Sequence, residues 1–119
     1  MNCLDTYALV EIRRGNPRFQ RFLTDPFFIA ETTLAEFYGV LYREDGEGQA
    51  MEWVQKLVPF TQAPGVSVLL SAVRFRSDHR KDHISFFDAV GYQAALANRA
   101  RFVTGDQAFE KLPGVEFVK

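Results

Sequence analysis

The chain has 119 residues, 47% of them hydrophobic and 24% charged, with 12 phenylalanines and a net charge of -1. One domain of this length buries roughly two thirds of the surface its unfolded form exposes, so a single sizeable core is expected over residues 1–119 and disorder is excluded. The near-zero net charge excludes a uniformly basic nucleic-acid binder, though not a local basic patch.

Cys3 is the sole cysteine. An internal disulfide is therefore impossible, and a reduced, intracellular setting is expected. The opening MNCLDTYALVEIRRG lacks the cationic start and long apolar run of a signal peptide, and no later stretch approaches membrane-spanning length. The expectation is a cytoplasmic protein without a membrane partner.

In chain order, an apolar start through Leu4 meets Asp5, and a helix is predicted over Ala8 to Arg14, stopped by Gly15, Asn16 and Pro17. A second helix covers Pro17 to Leu23. The run Phe27 to Ala30 (FFIA) reads as a buried strand. Leu34, Phe37, Tyr38 and Leu41 then recur at helical spacing, and Arg43 to Gly48 (REDGEG) reads as a solvated turn. Further helices are predicted over Gln49 to Val58 and around Val66, Leu69, Leu70 and Val73, with a short strand or loop at Pro59 to Gly65 between them. Arg76 to His83 (RSDHRKDH) is wholly polar and reads as an exposed connection. A helix follows from Ser85, then a strand from Arg101 to Val103, a short helix over Gln107 to Leu112, and a last strand over Val115 to Val118. Strands separated by helical patterns imply an α/β domain with a mainly parallel central sheet flanked by helices in three layers.

In such sheets ligands bind beyond the carboxyl ends of the strands. Four acids are expected at those places: Asp5 after the first strand, Glu36 in the first turn of the helix after FFIA, Asp88 in the first turn of the Ser85 helix, and Asp106 after the fourth strand. Each has a structural explanation. Thr33-x-x-Glu36 and Ser85-x-x-Asp88 fit a capping box, and Asp5 and Asp106 fit plain N-caps worth on the order of 1 kcal/mol each. Convergence would change the balance. At ~5 Å and an effective dielectric of ~20, each carboxylate pair repels by roughly 3 kcal/mol, which helix N-termini do not offset. Four acids brought together must protonate or hold divalent cations, and oxygen-only ligation suits Mg²⁺ or Mn²⁺.

The segments CLDTYALVE at 3 to 11, TTLAEFYGVL at 32 to 41 and ISFFDAVGYQAALANRARFVTGDQAFEKLPGVEFV at 84 to 118 resemble the PIN-domain ribonucleases, most closely the VapC toxins of toxin–antitoxin pairs. The resemblance implies a three-layer PIN-like fold and a Mg²⁺- or Mn²⁺-dependent endoribonuclease that hydrolyses RNA with a metal-activated water. It makes Asp5, Glu36, Asp88 and Asp106 the catalytic, metal-binding quartet, with Asp5, Asp88 and Asp106 as the firmest ligands and Glu36 reaching through water. Thr104 matches the family's hydroxyl beside the last acid, and Thr6 the one after the first. An RNA substrate, a protein antitoxin and a homodimer are the implied partners. Two residues depart from the pattern: Tyr7 stands where the family often has Asn, and Gly105 where it often has a polar or basic residue.

Arg13, Arg14, Arg18 and Arg21 form a run free of acids. Arg13 and Arg14 are the candidates for holding substrate phosphates, while the run as a whole could equally dock an acidic antitoxin tail or form a solvated helix face. The second basic cluster, Arg74, Arg76, Arg80 and Lys81, is interrupted by Asp78 and Asp82 and reads as solvated surface. His79 and His83 stand at i, i+4 without a third ligand, which argues against zinc. Trp53 and the phenylalanines read as core or interface. The alternatives kept open are a PIN-like binding module that does not cut, a receiver-type phosphoacceptor, and a housekeeping nuclease of the same fold.

Overall fold

The computed structural model describes residues 1–119. Five parallel strands form one sheet in the order β3-β2-β1-β4-β5. They are β1 (Asn2–Leu4), β2 (Phe27–Ala30), β3 (Thr61–Gln62), β4 (Arg101–Thr104) and β5 (Val115–Phe117). The helices are α1 (Thr6–Arg13), α2 (Pro17–Gln20), α3 (Glu31–Asp45), α4 (Glu47–Leu57), α5 (Gly65–Asp78) and α6 (Phe86–Ala97). No helix is long and apolar enough to cross a membrane.

Side chains alternate across each strand, so every inner strand feeds both faces. Cys3, Phe28, Ala30 and Phe102 enter one core with α5 and α6, including Phe75, Ala89, Val90, Tyr92 and Phe109. Leu4, Ile29 and Val103 enter the other, with Leu9, Ile12, Phe19, Phe37 and Leu41. The result is the three-layer α/β architecture expected from the alternating pattern. Trp53 sits edge-on to the buried Phe37 ring at 5.8 Å, as a packing residue.

Helix α6 lies close against the sheet because Gly91 has no side chain. A Cβ there would fall 3.1 Å from the Phe102 ring and 3.3 Å from the Thr33 hydroxyl. Buried Cys3 packs at the same contact, its thiol donating to the Gly91 carbonyl at 3.6 Å. Desolvation pushes that thiol well above its usual range, consistent with a purely structural role.

Several boundaries differ from the sequence expectation, and polar runs are the common cause. Arg43 to Asp45 continue α3, and Arg13 ion-pairs with both Glu44 and Asp45, so the turn shrinks to Gly46 with its φ of 86°. Likewise Arg76 to Asp78 complete α5, and a 3₁₀ turn covers Arg80–Asp82. These charged residues are the solvated face of helix rather than loop. The Gln107–Leu112 helix is a single 3₁₀ turn, Gln107–Phe109. Helix α3 starts at Glu31, capped by the backbone of Ala30, so Thr33 forms no capping box and Glu36 belongs to the second turn.

Helix α5 shows the largest difference in burial. Ala72 and Phe75 face the core, whereas Val66, Leu70 and Val73 are 71%, 63% and 57% exposed. The apolar positions that mark this helix in the sequence therefore include a stripe left outside the fold.

Candidate metal centre

Strand order reverses between β1 and β4: β2 and β3 lie on one side of β1, β4 and β5 on the other. The crevice of a parallel sheet opens at such a reversal, beyond the carboxyl ends. Asp5 follows β1 and Asp106 follows β4, so the first and last acids flank it. Glu36 comes from α3 and Asp88 from α6. All four line one cleft of about 490 Å³, together with Thr6, Tyr7, Gly105, Gln107 and Lys119.

Each acid is fixed by its local structure. The Asp5 amide donates to the Val103 carbonyl at 3.2 Å, tying the end of β1 to β4. Its side chain caps α1 by accepting from the Ala8 amide at 2.8 Å. Asp106 caps its 3₁₀ turn through the Ala108 amide at 3.0 Å. Asp88 is held from behind, where the Ser85 hydroxyl accepts from its amide at 3.1 Å as the N-cap of α6. Capping and membership of the cleft are thus the same placement for Asp5 and Asp106, while Asp88 is delivered by the cap at Ser85. Glu36 is held by a donor, the Thr6 hydroxyl, at 2.5 Å.

Thr104 is fully buried. Its hydroxyl accepts from the Asp106 amide at 3.0 Å, and its dipole favours the ionised form of the Asp5 carboxylate.

The electrostatics are those of a crowded, partly dry acid cluster. Asp5 is 2% exposed, and its desolvation raises its pKa from 3.8 to about 8 despite the opposing pull of Thr104 and the Ala8 amide. Repulsion from Asp88 and Asp106 adds to the rise. Desolvation and then repulsion from Glu36 raise Asp88 to about 6. Such a cluster gains from a countercharge.

The donor set is four carboxylates, which suits a hard divalent cation. No three of the acids stand close enough together to form a ready-made cage. Mg²⁺ fits so open an arrangement, because it keeps several waters and takes only one or two carboxylates directly.

Arg13 and Arg14 do not line the cleft. Arg13 is occupied by Glu44 and Asp45, and Arg14 pairs with Glu11 at 3.3 Å. Farther along the run, Arg18 donates to the Lys119 carbonyl at 2.6 Å, and Arg21 stands 3.8 Å from Glu116. Lys119, tethered in this way, is the one basic residue lining the cleft. Sequence patterning gave no sign of it, since it lies 13 positions beyond Asp106. His79 turns inward, stacking on Phe75 at 4.2 Å, and shares no metal group with His83.

Tyr7 and Gly105 touch one another across the cleft wall. A Cβ at Gly105 would lie 2.2 Å from the Tyr7 ring and 2.6 Å from the Val118 carbonyl oxygen. Gly105→Ala is therefore expected to destabilise the chain by about 1–3 kcal/mol, the usual cost of overpacking, as read by chemical denaturation. A variant as stable as the parent would show that this contact yields freely.

An acid-lined crevice at the strand-order reversal of a parallel sheet, with helices on both faces, defines a three-layer α/β domain with its candidate site at the carboxyl ends of the strands. The PIN domain family model matches residues 3–115, and the chain belongs to that family. No curated protein matches it significantly in sequence. Among solved structures, the Sarcin-Ricin loop cleaving toxin VapC20 of Mycobacterium tuberculosis is similar, with a TM-score of 0.82 at 17% identity over 100% of both chains. A toxin–antitoxin complex from Klebsiella pneumoniae aligns with a TM-score of 0.76 and 17% identity, over 98% of this chain and 96% of that one. DNA-bound VapBC from Salmonella typhimurium gives 0.76 and 16%, over 99% and 98%. At these identities the likeness is one of fold.

Proposed function

We propose that the chain is a divalent-metal-dependent endoribonuclease acting in the cytoplasm as the toxin of a toxin–antitoxin pair. The observation that carries this reading is the meeting of Asp5, Glu36, Asp88 and Asp106, from four separate elements, in one cleft at the carboxyl end of the sheet.

Mg²⁺ or Mn²⁺, when bound, supplies Lewis-acid polarisation of a phosphodiester and a more acidic water. Asp5, Asp88 and Asp106 are the carboxylates assigned to hold the cation, which in so open an arrangement they would do partly through its waters. Thr104 is assigned as a positioning residue that holds the Asp106 backbone through its hydroxyl. Glu36, steadied by Thr6, is placed to orient the attacking water or take its proton. Lys119 brings positive charge to the cleft rim, where an RNA phosphate enters. Hydrolysis in this way leaves 5′-phosphate and 3′-hydroxyl ends. Arg13 and Arg14 receive no substrate role in this scheme, because both guanidinium groups are engaged elsewhere.

The fold is shared with proteins solved as toxin–antitoxin complexes, and a protein antitoxin is the partner we assign to this chain. We assign the exposed Val66 and Leu70 on α5 to a homodimer contact, since large apolar side chains on a free helix face favour burial against a second copy. Light scattering should give a dimer mass that Leu70→Glu halves; a monomeric parent would remove this assignment.

The test of the nuclease reading is cleavage of RNA with Mg²⁺, with Mn²⁺ and with a chelator, comparing the parent with Asp88→Asn. Cleavage that needs the metal and Asp88 supports it. A parent that binds RNA without cutting under any metal would instead identify the binding-module alternative.

A further inference from the structure

Arg76, Arg80 and His83 line a second groove of about 510 Å³ that contains no carboxylate. The sequence interleaves these cations with Asp78 and Asp82, but the fold separates them. Both acids line a different groove, with His79 and Lys81, and Arg80 borders the two. The turn after α5 produces the separation, ending at His83 in the left-handed region (φ 55°, ψ 39°) before the chain enters α6. A non-glycine residue in that region is uncommon, and here it reverses the chain so that position 83 joins the groove.

The groove is also prearranged. The Arg76 Nε donates to the Ile84 carbonyl at 3.0 Å, which fixes the guanidinium plane. The chain's ion pairs involve Arg13, Arg14, Arg21 and Arg101, leaving Arg76 and Arg80 without a carboxylate partner. Ser85 lines the same groove as the N-cap of the 12-residue helix α6, whose amino end adds a partial positive charge. Three residues later the same helical turn delivers Asp88 to the acid cleft. The groove and the cleft therefore meet across the first turn of α6.

We infer that this groove binds a backbone phosphate of the RNA substrate, flanking the bond placed at the acid cleft. Resting on the ribonuclease reading, the inference answers a difficulty that the cleft creates. Four carboxylates repel a polyanion, and Lys119 alone is a small counterweight. Two unpaired arginines beside the entrance supply attraction where the strand must pass, with a fixed guanidinium suited to phosphate oxygens.

The test is fluorescence anisotropy with a labelled 20-nucleotide single-stranded RNA, titrated at several salt concentrations in chelator so that nothing is cut. Arg76→Gln with Arg80→Gln should weaken binding about tenfold or more and reduce the slope of log affinity against log salt by about 1 to 2. Arg80→Gln alone, which leaves the Ile84 bond intact, should show about half the slope change with an unaltered melting temperature. Arg101→Gln removes a charge at the opposite end of the sheet and should leave the slope in place. A double variant with the parent's affinity and slope would overturn the groove while leaving the nuclease reading untouched. A parent that fails to bind RNA at low salt would overturn both. Conversely, a slope reduced in the double variant together with a parent that cuts no RNA with Mg²⁺ or Mn²⁺ would sink the catalytic reading and keep the groove.

Discussion

Replacing Asp5 by Asn should make the metal-free protein more stable at pH 8 and leave it unchanged near pH 4. Asp5 and Asp88 both have folded-state pKa values above the ordinary carboxylate value, about 8 and about 6. Between pH ~4 and ~8 the folded chain therefore keeps protons that the unfolded chain has lost, and stability falls as pH rises through that window. A shift from 3.8 to about 8 corresponds to a penalty on the order of 5 kcal/mol for ionised Asp5. Asn keeps a carbonyl oxygen for the Ala8 amide and removes the ionisation. A gain in melting temperature of at least about 5 °C at pH 8 is expected, shrinking toward zero in acid.

Divalent cation should act in the opposite sense. Mn²⁺ at 100 times its dissociation constant stabilises the parent by about 2.7 kcal/mol, and the Asn variant should gain much less. Binding to the parent near neutral pH also releases a proton from Asp5, so apparent affinity should rise with pH up to about 8. Calorimetric scans at pH 4, 6 and 8 with and without Mn²⁺ read all of this. A parent whose melting temperature climbs steadily from pH 5 to pH 8 without metal would contradict the buried-acid account.

The second large effect is on cleavage. Asp88→Asn and Asp106→Asn should each lower kcat/KM for RNA more than about 100-fold, equivalent to at least ~2.7 kcal/mol of transition-state stabilisation. Combining them should cost little more than either alone, because residues that hold one cation act as a unit. Glu36→Gln should be milder, since the Thr6 hydroxyl can still hold an amide in nearly the same place. Thr104→Val should show intermediate loss with a raised metal requirement, because it removes the hydroxyl that holds the Asp106 amide. Equal effects at all four acids would mean that Glu36 is a direct ligand, and metal-dependent activity surviving at Asp88→Asn would place the chemistry elsewhere.

The architecture was legible because the apolar runs are short and separated by helical patterns. FFIA, RFVT and the residues before Asp5 could bury both faces only in a parallel sheet covered on each side. Asp5, Asp88 and Asp106 were legible as strand-end and helix-start residues, Glu36 stands a turn farther into its helix than expected, and the four do share one cleft. Less readable were the polar segments. Arg43 to Asp45 look like loop in composition but are helix, because Arg13, about 30 positions earlier, pairs with the acids at that end of α3. That pairing also removes Arg13 from the pool of free cations, which no local pattern could show. The basic groove was hidden for a related reason: alternating charges in sequence say nothing of which side of a turn each one takes.

The contact between Tyr7 and Gly105 constrains how this cleft can change. The ring occupies the space that a side chain at position 105 would need, and the Val118 carbonyl closes the remaining side. Shrinking Tyr7 removes only the ring side of the clash, so a side chain at 105 also needs the backbone at Val118 to move. Descendants and designed variants alike should therefore acquire new chemistry beside Asp106 only through lineages that have given up the tyrosine and also shifted the last strand's end.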